Sequence, residues 1–327
     1  MIKTIISEGL PVDEQLLIRK KIIQNGTGKK RICIVTGTHG DEHEGQYVCF
    51  ELIRRLNESS AFLDGTVEVY PALNPLGVDS VSRGIPTFDL DMNRIFPGDP
   101  NGHLIEHTAY QIIEDLKGAD MVIDIHASNI FLREVPQARI NMAMSEKLIP
   151  YAKLLNIDFI WIHEAATVLE STLAHSLNVL DTPTIVVEMG IGMRLTLEYG
   201  NRLVDGIFKL MTEMGMWNGP VTDEISVPKL STTGDVCFLN AEASGIIIPA
   251  VSHSDNVLKG DLLCRIVDPY EGSVLQNVLS PVDGYVFTLR TFPVVYGGSL
   301  IARIFSETGT QKDSNPELQA IHNVSNS

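Results

Sequence analysis

Arg31-Ile32-Cys33-Ile34-Val35-Thr36-Gly37-Thr38-His39-Gly40-Asp41-Glu42 is the stretch on which the fold turns. A short apolar run ends in small residues and glycines. Such a run reads as a strand buried on both faces, closed by a tight turn. From His43 to Asn57 the apolar residues Tyr47, Phe50, Ile53 and Leu56 recur at helical spacing, so a helix follows the turn. Working outward, Thr66 to Ala72 reads as the next strand. Leu104 to Lys117 is an amphipathic helix, with Ile105, Ala109, Ile112 and Leu116 on one face and Gly118 as its stop. Met121 to Ile125, Ile140 to Met144, Phe159 to Ile162 and Thr184 to Val187 read as further strands, and a long helix runs from Thr196 to Gly215. Strands alternating with helices imply an α/β fold: a mostly parallel or mixed sheet with helices on both faces.

After Gly219 the pattern changes. Between Thr233 and Ile304 helical periodicity disappears. Short strands are separated by turn signals at Ser244-Gly245, Ser254-Asp255-Asn256, Lys259-Gly260-Asp261, Asp283-Gly284 and Gly297-Gly298. The expected division is an α/β unit over 1–222, a small all-β, barrel-like unit over 223–306, and a polar, frayed tail over 307–327.

The 327 residues are 44% hydrophobic and 20% charged, enough apolar material for a full core. A formal net charge of −16 repels phosphate backbones and sets nucleic acid aside as a partner. Cys33, Cys49, Cys237 and Cys264 form no Cys-x-x-Cys pair and read as reduced thiols. The N-terminus has no apolar core for a signal peptide, and no stretch approaches the roughly 18 apolar residues of a membrane span. A cytoplasmic, soluble protein with no membrane partner is expected, and a homo-oligomer is left open.

Chemistry concentrates where buried strands end. In parallel α/β sheets ligands bind at the carboxyl ends of strands. His39 and Glu42 share one short turn there, and nitrogen and oxygen ligands about 2 Å from the ion suit Zn²⁺. On their own the two residues read more simply, with Asp41 and Glu42 capping the helix and His39 bonding the turn. His126 ends the strand Val122-Ile123-Asp124-Ile125 and can lie beside them if the two strands are neighbours. Three ligands with a fourth position left for water is the pattern of a catalytic metal site. Phe88-Asp89-Leu90-Asp91-Met92-Asn93-Arg94-Ile95-Phe96-Pro97-Gly98 looks buried, and Arg94 in it suits bidentate binding of a carboxylate. An internal ion pair from Arg94 to Asp89 or Asp91 explains it as well. Glu188, at the end of Thr184-Ile185-Val186-Val187, faces the same crevice as a proton shuttle, or is an ion-paired or capping residue.

Four motifs in order, His39-Gly40-Asp41-Glu42, Asp91-Met92-Asn93-Arg94-x-Phe96-Pro97-Gly98, Asp124-Ile125-His126 and Glu188-Met189-Gly190, resemble the succinylglutamate desuccinylase/aspartoacylase family of the zinc carboxypeptidase clan. The resemblance covers most of the chain, to about Ile304. It implies a zinc-carboxypeptidase-like fold and one zinc ion per chain on His39, Glu42 and His126. It implies Glu188 as general base and then acid, Asn93 and Arg94 as the grip on a substrate carboxylate, Asp91 as the carboxylate orienting His39, and Arg83 as the oxyanion-stabilising arginine. Gly245, Asp255 to Leu263 and Ser280 to Val286 resemble a biotinyl/lipoyl-like barrel. Such barrels carry a lysine on the hairpin between those segments, and Asp268 to Leu279 has none.

The activity implied is zinc-dependent hydrolysis of the amide in a small N-acyl amino acid or related carboxylate-bearing amide. Two other readings stand beside it: a metallocarboxypeptidase acting on short peptides, and a metal-binding protein without catalysis, against which Glu188 argues. The spacing excludes a His-Glu-x-x-His protease site. His43-Glu44 is followed by Tyr47, and His163-Glu164 by Thr167, where a second histidine is needed. Tyr296 reads as a residue reaching the site or as a core tyrosine. Arg133, Arg139 and Arg194 read as surface ion pairs, with recognition of a second carboxylate as the alternative.

Overall fold

The computed structural model describes residues 1–163, 170–231 and 236–306. The chain opens with β1 (Ile2–Gly9), β2 (Gln15–Asn25), β3 (Arg31–Thr36), α1 (Glu44–Glu58), β4 (Gly65–Tyr70), α2 (Pro75–Ser80), α3 (Leu104–Leu116) and β5 (Met121–Ala127). It continues through β6 (Leu132–Asn141), α4 (Ser145–Ala152), β7 (Phe159–His163), α5 (Leu173–Val179), β8 (Thr184–Gly190) and α6 (Leu197–Glu213). The named elements beyond are all strands: β9 (Lys229–Ser231), β10 (Val236–Asn240), β11 (Gly245–Pro249), β12 (Asn256–Val257), β13 (Leu262–Asp268), β14 (Ser273–Leu279), β15 (Gly284–Arg290), β16 (Val294–Val295) and β17 (Leu300–Phe305).

The main sheet runs β1-β2-β4-β3-β5-β8-β6-β15-β17-β10. Its centre is parallel, with β3 between β4 and β5, and β8 beyond β5. Alternate residues of β3 enter different cores. Ile32 and Ile34 join Leu52 of α1 and Leu203 of α6, while Cys33 and Val35 join Ile112 and Leu116 of α3. A strand covered by helices on both faces has no need of polar alternation, which is why its sequence is a continuous apolar run. After β3 the chain steps one way to β4, then returns across to β5 on the other side. The crevice at this reversal, at the carboxyl ends of β3 and β5, is the ligand position in open α/β sheets. It is where His39 and His126 stand.

Two expectations need correction. In α1 the buried residues include Val48, Cys49, Leu52 and Leu56, whereas Phe50 is 60% exposed. A row taken every third residue slips about 60° per step around a helix, so Tyr47, Phe50, Ile53 and Leu56 cannot share one face. The strand expected over Ile140 to Met144 is β6, which starts at Leu132 and stops at Asn141. Pro136 disguised it in the sequence. It is accommodated where the register with β8 shifts between Glu134 and Gln137, as proline in a strand requires. Met142–Met144 form a 3₁₀ turn, with the Asn141 side chain accepting from the Ala143 N–H. The sheet is mixed, within the expectation: β1, β2 and β15 pair antiparallel, while β9 pairs parallel with β7.

The strands after residue 235 surround an apolar cluster of their own that includes Leu239, Leu263, Ile266, Val286 and Ile304. A second sheet, β14-β13-β11-β16, closes over it. They are not free of the α/β part. β15 pairs antiparallel with β6, Thr288 opposite Glu134. Phe287 stacks on Phe159 of β7 with ring centroids 4.5 Å apart. The four cysteines are free thiols. The polar tail expected over 307–327 lies outside the described residues, as do Glu164 and Thr167.

Phe287 is fully buried at the seam between β7 and β15. Phe287→Ala should therefore lower stability by ~3–5 kcal/mol, the range for a buried aromatic truncated to alanine. A denaturant titration should show a lower midpoint at unchanged slope. A loss below ~1 kcal/mol would mean that the seam does not depend on this ring.

Candidate metal centre and active site

The turn after β3 carries His39 and Glu42, and both are buried. Their neighbour is His126, on β5. Nδ1 of His39 lies 2.7 Å from Oε1 of Glu42, and Nδ1 of His126 lies 3.0 Å from Oε2 of the same carboxylate. One carboxylate thus stands between two imidazoles. The Ala127 N–H donates to Glu42 Oε2 at 3.1 Å and fixes its rotation. The expected cap role is absent: α1 starts at Glu44, and its N-cap, His43, makes no side-chain cap bond.

The ring orientations come from the opposite nitrogens. His39 Nε2 is 3.0 Å from Asp91 Oδ1, and His126 Nε2 is 3.2 Å from Asp124 Oδ1. On His39 the hydrogen-bonded Asp91 sets the tautomer that leaves Nδ1 as a lone-pair donor, while Asp124 is close to His126 Nε2 without a well-angled bond. Nδ1 of His39 is buried and makes no well-angled hydrogen bond despite its short distance to Glu42. Ligand atoms of His39, Glu42 and His126 lie within 4.8 Å of one another. Two imidazole nitrogens and a carboxylate oxygen turned inward, one nitrogen lacking a partner, can hold a metal ion, and the donor set suits zinc.

The electrostatics agree with this. Burial resists charging His39, but the hydrogen bond to Asp91 and the nearby Glu42 carboxylate hold it above the ordinary histidine value. His126 is likewise raised, by Asp124 and Glu42 against burial. Burial also works against the Glu42 carboxylate, yet the His126 bond and the adjacent His39 ring hold it well below the usual range. Such a pocket demands positive charge, from protons or from a cation in their place.

Glu188 stands opposite His126 across the β5–β8 pair. Burial raises its carboxyl above the ordinary value, with Arg139 opposing from 3.3 Å. A buried carboxylate so poised is a candidate acid–base group. Arg83 lies beside the seat, 3.0 Å from Glu42 Oε1 and 3.4 Å from Asp91 Oδ2. Asn93 is buried, with Oδ1 accepting from the Leu173 N–H at the start of α5 at 2.9 Å. Asp91 caps the short helical turn Met92–Arg94 by accepting from the Asn93 N–H. Arg94 is exposed, not buried as its apolar neighbours suggested. It makes no ion pair to Asp89 or Asp91 among the described residues, and its Nη1 donates to the Asn93 carbonyl.

His39, Glu42, Arg83, Asn93, Arg94, His126 and Glu188 all line one cavity of about 660 Å³. Arg139, expected at the surface, lines it too, held by Glu134 at 2.8 Å. Arg303 of β17 reaches the same wall and also binds Glu134. Arg133, Arg194 and Tyr296 stay outside it: Arg133 lies over the Tyr199 ring, Arg194 donates to the Met193 carbonyl, and Tyr296 is 69% exposed. Sequence reasoning missed Glu134 and Arg303. An acid two residues before a proline gave no signal for the first, and nothing in the local sequence ties the second to a site so distant along the chain.

A sheet reversal bearing a His–Glu–His seat, with a raised carboxyl opposite, gives the molecule the arrangement of an α/β protein that could hold a metal at strand ends. Comparison with known proteins narrows this. Residues 28–214, more than half of the chain, match the model of the succinylglutamate desuccinylase/aspartoacylase catalytic domain, and the chain belongs to that family of amide-cleaving deacylases. It is 24% identical over 303 residues, 88% of this chain and 85% of the relative, to the N-alpha-acetyl-L-2,4-diaminobutyric acid deacetylase of Halomonas elongata. Among solved structures it resembles the product-bound ectoine utilization protein EutE (DoeB) of Ruegeria pomeroyi, with a TM-score of 0.78, 21% identity, and 93% of this chain and 95% of that one covered. It also resembles a succinylglutamate desuccinylase/aspartoacylase of Rhodobacter sphaeroides, with a TM-score of 0.79, 21% identity, and the same coverage of 93% and 95%. At these identities the structures show the shared fold. No helix of the described residues is long and apolar enough to cross a membrane.

Metal analysis of protein purified without chelator should show about one zinc per chain, and His39→Ala/His126→Ala should lose it, because two of the three ligands go. Zinc retained in the double variant would move the seat elsewhere.

Proposed function

We propose that this chain is a zinc-dependent amidohydrolase that removes the acyl group from a small N-acyl amino acid. The observation that carries this is the meeting of His39, Glu42 and His126 at the β3–β5 reversal, with Glu188 facing them. A zinc ion there would polarise the amide carbonyl and lower the pKa of a water. Glu188 takes the proton of the attacking water and passes it to the leaving amine, work suited to its raised pKa. Asp91 keeps the His39 ring turned inward. Arg83, beside the seat, donates to the oxygen that gains charge. Arg94 takes the substrate carboxylate, with Asn93 holding the loop to α5.

We further propose the division of the chain into 1–222 and 223–306, the second unit serving without a covalent carrier group. Its β13–β14 hairpin offers no lysine.

A panel of N-acyl amino acids, assayed for released amine, tests the activity. Glu188→Gln should keep its metal and lose at least ~10²-fold in kcat, since an amide cannot shuttle a proton. A variant that keeps most of its kcat would place the base elsewhere.

Arg94→Ala should cost an acid substrate roughly 30- to several-thousand-fold in kcat/KM, as loss of a charge-assisted contact does, corresponding to ~2–5 kcal/mol. The matching carboxamide, which never made the contact, should be nearly unaffected. Equal losses for both would remove carboxylate recognition from Arg94.

A further inference from the structure

The charges around the cavity restrict what can enter it. Four permanently charged cations line it: Arg83, Arg94, Arg139 and Arg303. Arg83 is paired with Glu42 and Asp91. Arg139 binds Glu134 and lies beside Glu188, and Arg303 binds Glu134. Of the four, Arg94 has no acidic partner among the described residues. The lining acids are answered in turn. Glu42 lies between two imidazoles, Asp124 is 3.2 Å from His126, and Glu134 and Glu188 face arginines. Among the described residues one cation is spare and no carboxylate is.

The cavity is also larger than the reacting atoms need. At about 660 Å³ it falls within the ~300–1,000 Å³ of sites that take drug-sized ligands. Along β8 its lining runs from Glu188 through Val186 to Thr184, an arm of the cavity that Ile140, Met144 and Leu148 share with the uncharged polar Asn141 and Asn178. Helix α5 gives the arm its direction. The first N–H of α5 binds Asn93, and His175, Asn178 and Val179 line the cavity further along the helix. The arm therefore begins beside the Asn93–Arg94 corner. A substituent that enters it belongs to the half of the substrate that bears the carboxylate.

We infer that this half is an amino acid with an uncharged, mainly apolar side chain, its carboxylate on Arg94 and its side chain in the arm. The inference rests on the deacylase reading for the chemistry, while the charge balance stands apart from it. A second carboxylate could reach Arg139 or Arg303 only by taking them from Glu134 or Glu188. A side-chain ammonium would find no acid to spare among the described residues. Either leaves a buried charge without a partner, which costs far more than a lost surface contact.

Leucine and aspartate side chains are nearly equal in size, methyls standing where the carboxylate oxygens stand. With acetyl as the common acyl group, kcat/KM should be at least ~10²-fold higher for N-acetyl-leucine than for N-acetyl-aspartate, the scale set by an unpaired buried charge. N-acetyl-norleucine should lead N-acetyl-lysine and the α-N-acetyl derivative of 2,4-diaminobutyrate by a similar factor. Calorimetric binding of the same compounds to metal-free wild-type protein, which is not turning over and keeps Glu188 beside Arg139, should follow the same order. If none is hydrolysed yet leucine still binds ahead of aspartate, the deacylase reading falls and the charge argument holds. A charged side chain that equals or exceeds leucine in rate or binding overturns the inference, and so does failure of every member to bind.

Discussion

The Glu42 carboxylate between the His39 and His126 rings is the contact around which the rest of the site is arranged. A buried carboxylate is tolerated only when its charge is answered. Here the answer is assembled from parts distant in sequence: a turn after β3, the end of β5, the Ala127 N–H, and Arg83 from the segment after α2. Each part needs the parallel pairing of β3 with β5, which brings residues 39 and 126 side by side. The pairing in turn needs both strands apolar on both faces, so that α1 and α6 can cover one side and α3 the other. The apolar runs and the polar seat are one design: the runs fix the strands, and the strands leave only their carboxyl ends for charged groups.

This explains how much could be read in advance. Motifs that follow directly on a buried strand, at His39, His126 and Glu188, were legible because the strand fixes where its last residue points. Asp91 and Arg83 were legible only through the family's motif order, since loops carry no period. Three features were hidden. The face of α1 was misjudged because its apolar residues occupy two rows, and only tertiary packing selects the one containing Val48 and Leu52. Strand β6 was cut short because Pro136 looks like a strand breaker, and its bulge depends on pairing with β8. Arg303 was invisible because its contact with Glu134 spans 169 residues and is decided by the register of β17 on β15 and β15 on β6.

Those C-terminal strands form an apolar cluster of their own, which by itself would suggest an appendage. The charges suggest more. Glu134 receives Arg139 from its own strand and Arg303 from β17, and it also accepts from the Gln137 amide and the Thr288 hydroxyl. Glu134 is thus a buried acid with donors from both parts of the chain. Take away β15 and β17 and it keeps Arg139 but loses Arg303 and Thr288, while the edge of β6 opens to water. Arg139 would then be drawn toward Glu134, which has fewer partners, and away from Glu188 on the other side of its guanidinium. The Glu188 carboxyl therefore feels the C-terminal strands through two ion pairs, without touching them.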